Sequence, residues 1–111
     1  MARDDYYVLV YRILEHLYKC LRASKRADID YIKPLTKDFP IEQEYFDYIF
    51  RNLLKEEYIE DVVVISVDGA EPIIKILDSV KITPKGIAYL QDNSKMASAK
   101  KFIAEIIKNK I

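Results

Sequence analysis

The spacing of apolar residues changes repeatedly along this chain, and each change predicts an element. Val10, Ile13, Leu14, Leu17 and Leu21 recur three and four residues apart, with Arg12, Glu15, His16 and Lys19 between them. That pattern is one face of a helix over Asp5–Arg22. Tyr6, Tyr7, Tyr11 and Tyr18 widen its apolar arc, so the helix is expected to meet neighbours on more than one side. The polar, basic stretch Ala23–Ala27 reads as a connection. Asp28–Lys33 can form a short second helix capped by Asp28, and Pro34 ends it by disfavouring helical geometry at Lys33. Over Glu42–Glu56 a further stripe appears, made of Phe46, Ile49, Phe50, Leu53 and Leu54. Glu42 and Glu44 fall in its first turn, where a carboxylate suits the positive end of the helix dipole.

Then the period shortens. Val62–Val67 and Ile73–Leu77 are β-branched runs flanking Asp68-Gly69, and glycine tolerates the positive φ of a hairpin turn. Pro72 sits beside the tip, where a missing amide donor does least harm. Lys81-Ile82 extends the second strand, Thr83 caps the next helix, and Pro84 takes its first position. Asn93-Ser94 breaks that helix and caps a last one over 94–111. There Ala99, Phe102, Ile103, Ile106 and Ile107 oppose Lys100, Lys101, Lys108 and Lys110. The predicted order α-α-α-β-β-α-α is α+β. It is the layout of a winged helix-turn-helix: three helices, a β-hairpin wing and additional C-terminal helices. A chain of 111 residues, half of them apolar, is the size of a single domain spanning 1–111. The final helix is expected to pack on the first helix or to mediate a homodimer.

Charge changes the picture. The net charge is zero, but residues 1–37 carry +3, residues 38–92 carry −7 and residues 93–111 carry +4. The acidic block contains the candidate recognition helix and the wing. Composition also narrows the chemistry. No run approaches the roughly 20 apolar residues of a membrane span, and no secretory signal opens the chain, so no membrane partner and a cytoplasmic location are expected. Cys20 has no second cysteine to pair with and reads as a buried thiol. One histidine, His16, and one cysteine fall short of a zinc site, and no Gly-rich phosphate loop is present. The acids at Asp4-Asp5, Glu56-Glu57 and Glu60-Asp61 are adjacent pairs that point apart and lack a second catalytic partner. The expectation is a protein with no cofactor, no metal and no catalysis.

Tyr58-Ile59, the hairpin and Ile82-Thr83-Pro84-Lys85-Gly86-x-x-Tyr89-Leu90 together resemble the YjcQ-like family of small bacterial and phage winged-helix proteins. The similarity extends to Tyr11-Arg12-Ile13-Leu14-Glu15, to the Ile41–Leu53 helix with its Phe46, and to the lysine-rich last helix after Asp92-Asn93. It covers most of the chain, and its order and spacing carry it, since Thr-x-Lys-Gly-x-x-Tyr-Leu recurs across winged-helix groups. The resemblance implies the fold and a link to bacterial or mobile-element gene regulation. The chain departs from the pattern in two places. Glu57 stands where such helices usually end in Gly before the Tyr-Ile pair, and the hairpin is a few residues longer.

In a helix-turn-helix protein the second helix of the pair enters the major groove. Here its outward positions are Gln43, Glu44, Asp47, Tyr48, Arg51 and Lys55. Residues 42–57 hold five acids and two bases, a net −3, whereas duplex affinity comes mostly from Lys and Arg on phosphates. The candidate contacts to double-stranded DNA are Lys33, Lys37, Gln43, Tyr48, Arg51, Lys55 and Lys75. The first expectation is a DNA-binding protein of transcriptional control. The alternative is a non-catalytic module that binds a basic protein partner through its acidic helix and wing (Glu44, Asp47, Tyr48, Asp68 and Glu71) or through its tyrosine-rich surface.

Overall fold

A computed structural model describes residues 5–28, 42–70 and 72–109. Among them run α1 (Asp5–Arg22), α2 (Gln43–Lys55), β1 (Ile59–Ile65), β2 (Ile73–Ile82), α3 (Pro84–Asp92) and α4 (Ser94–Asn109). The class is α+β, with four helices and one antiparallel hairpin among the described residues. The short helix expected over Asp28–Lys33 falls mostly outside them. Helix α4 and strand β2 pack on α1, while α2 packs on the hairpin. The buried side chains form one cluster, with Val10, Ile13, Leu14 and Leu17 from α1, and Phe46, Ile49, Phe50 and Leu53 from α2. The base of the hairpin adds Ile59, Val62, Val80 and Ile82, and α4 adds Met96 and Ala99. Each of the larger side chains contributes roughly 1.5–3 kcal/mol by leaving water.

Two expected stripes are shifted. Leu21 is exposed, and Leu9 and Tyr11 are buried in its stead on α1. On α4 the buried positions are Met96 and Ala99, whereas Phe102, Ile106 and Ile107 are exposed. Ile103 is partly buried against the core, and beyond it the apolar stripe of α4 outruns its support.

Helices α1 and α2 end in the same way. After α2 the Tyr58 amide donates to Leu53 O (2.9 Å) and the Glu57 amide to Leu54 O (3.0 Å), with Glu57 left-handed at φ 64. After α1 the Lys25 and Ser24 amides bond Cys20 O and Leu21 O, with Ser24 at φ 56. This paired bonding is the Schellman stop, which ordinarily recruits glycine at the left-handed position. Glu57 therefore occupies the left-handed position that ordinarily takes glycine, and the turn still forms.

The strands are longer than expected, and a shift of register interrupts their pairing. Ile59 pairs with Ile82 and Glu60 with Lys81; the register then shifts, and Val62 pairs with Ile76, Val64 with Ile74. Asp61, left-handed at φ 66, alone faces residues 77–80 of β2, so the extra residues of this bulge lie on β2. A bulge switches which alternate side chains face the core. Without it Asp61 would follow Ile59 inward; with it Val62 does. Beyond the bulge both faces of the hairpin meet solvent, and Val63, Val64, Ile65, Val67 and Ile73 are exposed. The turn closes with Ala70 donating to Val67 O and Gly69 at φ 76.

Candidate functional site

The Thr-Pro-Lys-Gly segment is a clasp. Thr83 Oγ1 accepts from the Gly86 amide (3.0 Å), capping α3, and donates to Glu57 O (2.6 Å). The Thr83 amide donates to Tyr58 O (3.0 Å). A Cβ on Gly86 would collide with Tyr58 O and stand 2.7 Å from Ile82 Cγ1, so only glycine lets α3 approach this closely. The Tyr58 and Tyr89 rings then stack, 4.4 Å apart and 20° from parallel. The Thr-Pro-Lys-Gly residues thus hold the start of α3 on the turn between α2 and β1.

That turn fixes how α2 presents its outer face. Glu44, Asp47, Tyr48 and Arg51 line one open cleft of about 340 Å3, closed on one side by Pro72 of the hairpin. Gln43 lies beside it and donates to the Asp47 carboxylate (2.8 Å). Lys55 and Lys75 are exposed but line no part of this cleft. Asp68 is exposed at the hairpin turn. Lys33, Lys37 and Glu71 lie outside the described residues. The structure therefore brings together two acids, one tyrosine and one arginine from the two candidate sets.

A second cleft, of about 190 Å3, opens on the other flank of α2. Tyr6, Tyr7, Tyr58 and Tyr89 wall it, with Asn52 and Glu56 as its other polar groups and Val10 and Leu53 beneath. Tyr6 and Tyr7 meet edge to face at 5.2 Å, and Tyr6 also touches Tyr48 of the first cleft at 6.2 Å. Burial, then the neighbouring hydroxyls of Tyr58, Tyr7 and Tyr6 and the Glu56 carboxylate, push the Tyr89 hydroxyl up to about 12. Burial also raises Tyr6, against an opposing hydrogen bond from Asn52. Sequence reading pointed to a tyrosine-rich surface but not to these residues. The available signal was Tyr58 and Tyr89 inside the motif; their meeting with Tyr6 and Tyr7 needs the tertiary fold.

Elsewhere, Cys20 is half-buried rather than buried, 3.7 Å from His16 Nε2. The same nitrogen accepts the Asp28 amide (2.9 Å), which ties the chain after α1 back to the helix. Desolvation lowers the His16 pKa and favours the neutral ring that this bond requires. No three His, Cys, Asp or Glu residues are grouped to hold a metal among the described residues. No helix among them is long and apolar enough to cross a membrane.

Among family profiles, the one described as YjcQ protein matches residues 11–109. No curated protein and no solved structure gives a significant match.

Proposed function

The chain belongs to the YjcQ protein family, and from that premise we propose a non-catalytic winged-helix protein of gene regulation that binds through the face formed by α2 and the hairpin. The order helix, hairpin, capped helix supports the winged-helix reading, with the hairpin as wing and α2 in the place of a recognition helix. We infer further that this face meets a basic protein surface. One observation carries that inference: the face is acidic and apolar at once. Residues 42–82 hold ten acids against four bases, a net −6. The wing exposes Val63, Val64, Ile65, Val67 and Ile73, where phosphate binding would call for lysines.

The second reading, duplex DNA, is favoured by the layout alone. Arg51, Lys55 and Lys75 are its cations among the described residues, with Gln43 and Tyr48 for base edges. Three phosphate contacts release few counterions, at a salt slope of roughly −0.9 each, and the ten acids oppose them. Fluorescence anisotropy with mixed-sequence duplex, at low and then moderate salt, separates the two. Flat anisotropy is expected. A partner recovered from host lysate should be lost on Glu44→Lys with Asp47→Lys and kept on Lys100→Ala. Steeply salt-sensitive duplex binding, abolished by Arg51→Ala or Lys55→Ala, would replace this reading with the DNA one.

A further inference from the structure

We propose that the cleft walled by Tyr6, Tyr7, Tyr58 and Tyr89, with Asn52 and Glu56 at its edge, is a seat for an alkylammonium group. Aromatic faces carry the negative end of the ring quadrupole and attract cations within about 6 Å of the centroid. Here the rings form an edge-to-face pair and a stacked pair, and one ring of each pair, Tyr7 and Tyr58, already presents a face to an ammonium group. The phenol oxygens add acceptors, as does the Asn52 carbonyl. No lysine or arginine is part of the lining, although two lysines reach its rings from beside it. Its one formal charge is Glu56, exposed and without an ion pair among the described residues.

The chain already uses these rings in this way. Lys85 Nζ stands 5.9 Å over the Tyr58 ring, and Lys95 Nζ stands 5.5 Å over Tyr7. Both lysines are exposed and start from neighbouring elements, so they are internal competitors that a ligand displaces or joins. An ammonium ion fits better than an anion because the lining offers carboxylate, phenol and amide oxygens. It fits better than a neutral apolar group because the ring faces and the Glu56 carboxylate attract positive charge. The shared chemistry is an alkylammonium group, from either a lysine side chain of a protein or a free quaternary amine. The seat stands on its own geometry and does not depend on what meets the α2–hairpin face.

The test is an NMR titration of the full chain with tetramethylammonium chloride, with Nα-acetyl-lysine methylamide, and with the leucine analogue as control. Saturable shifts confined to the rings of Tyr6, Tyr7, Tyr58 and Tyr89, with upfield movement of the ligand N-methyl protons, are expected. Glu56→Gln removes the carboxylate and should weaken binding roughly threefold to fivefold. The fold should persist, because Glu56 caps α2 through its backbone only. Lys95→Ala should strengthen binding by removing the competitor. Response to both ammonium probes indicates a lysine side chain as a competent source, and response to tetramethylammonium alone indicates a free amine. Absent shifts, equal shifts with the leucine control, or affinity unchanged in Glu56→Gln would overturn the proposal.

Discussion

Glu57 is the residue whose identity and conformation disagree most. A side chain at φ 64 costs roughly 1–2 kcal/mol relative to right-handed backbone, and glycine escapes that cost while losing more entropy on folding. Its carboxylate is exposed, so little else depends on it. Glu57→Gly should therefore stabilise the protein by roughly 0.5–1 kcal/mol, read as a higher urea midpoint at unchanged slope. A lower midpoint would mean that the Glu57 side chain holds something at the turn. His16 makes the opposite kind of statement, about pH. Desolvation lowers its pKa in the fold, helped by Lys19 and opposed by Asp28. The unfolded chain accordingly takes up a proton first, as pH falls through about 6.5. Stability is full above that value and declines below it, as the neutral acceptor of the Asp28 amide is lost. Because His16 is the chain's one histidine, His16→Gln should flatten the fall in urea midpoint between pH 7.5 and 5.5. An identical slope in both proteins would remove His16 from the account.

At the scale of elements, the hairpin divides into a base that belongs to the core and a tip that does not. Ile82 is 2 % exposed and Ile73 is 52 % exposed, although they end the same strand. Ile82→Ala should cost roughly 2–5 kcal/mol and Ile73→Thr less than about 0.5 kcal/mol, with tip amides exchanging faster than those at the base. Comparable losses would show that the tip is supported by contacts of its own. The clasp makes a matching claim for α3. In Gly86→Ala the gain in helix propensity is about 1 kcal/mol, but the methyl meets a backbone carbonyl that cannot rotate away. A net loss of roughly 1–3 kcal/mol is expected in the urea midpoint. These two elements also mark what sequence can convey. The extent of α1 was legible because Val10, Ile13, Leu14 and Leu17 repeat within a single helix, and Thr83-Pro84 announces the start of α3 by local chemistry. The register shift between Glu60 and Val62 was not legible, since a continuous Val-Val-Val-Ile run gives no parity from which to read a register. The exposure of Phe102, Ile106 and Ile107 was equally hidden: helical periodicity states which face is apolar, not where the neighbouring helix stops. The outer face of α2 was read correctly from spacing. The tyrosine cleft joins positions more than eighty residues apart in the chain and could only be seen folded.

For the whole molecule, zero net charge does not mean electrical neutrality. The acidic block at −7 contains α2 and the hairpin, while α4, at +3, packs on α1, at +1. The molecule extends 48 × 30 × 24 Å. At about 0.01 M salt the screening length is roughly 30 Å, so opposite poles of neighbouring molecules attract while no net charge keeps them apart; at about 0.15 M it falls to roughly 8 Å. Static light scattering at pH 7 should therefore show attraction at low salt that weakens as salt is added. Reversing charge at one pole with Glu44→Lys and Asp47→Lys should reduce this salt response. The exposed hairpin tip predicts the other sign: apolar association through Val64 and Ile73 would persist or strengthen on adding a salting-out ion such as sulfate. Scattering that rises with sulfate and is relieved by Val64→Lys would place self-association on the hairpin and make the charge poles secondary. Scattering that falls with sodium chloride and ignores Val64→Lys would place it on the poles, leaving the hairpin's apolar surface open to a partner.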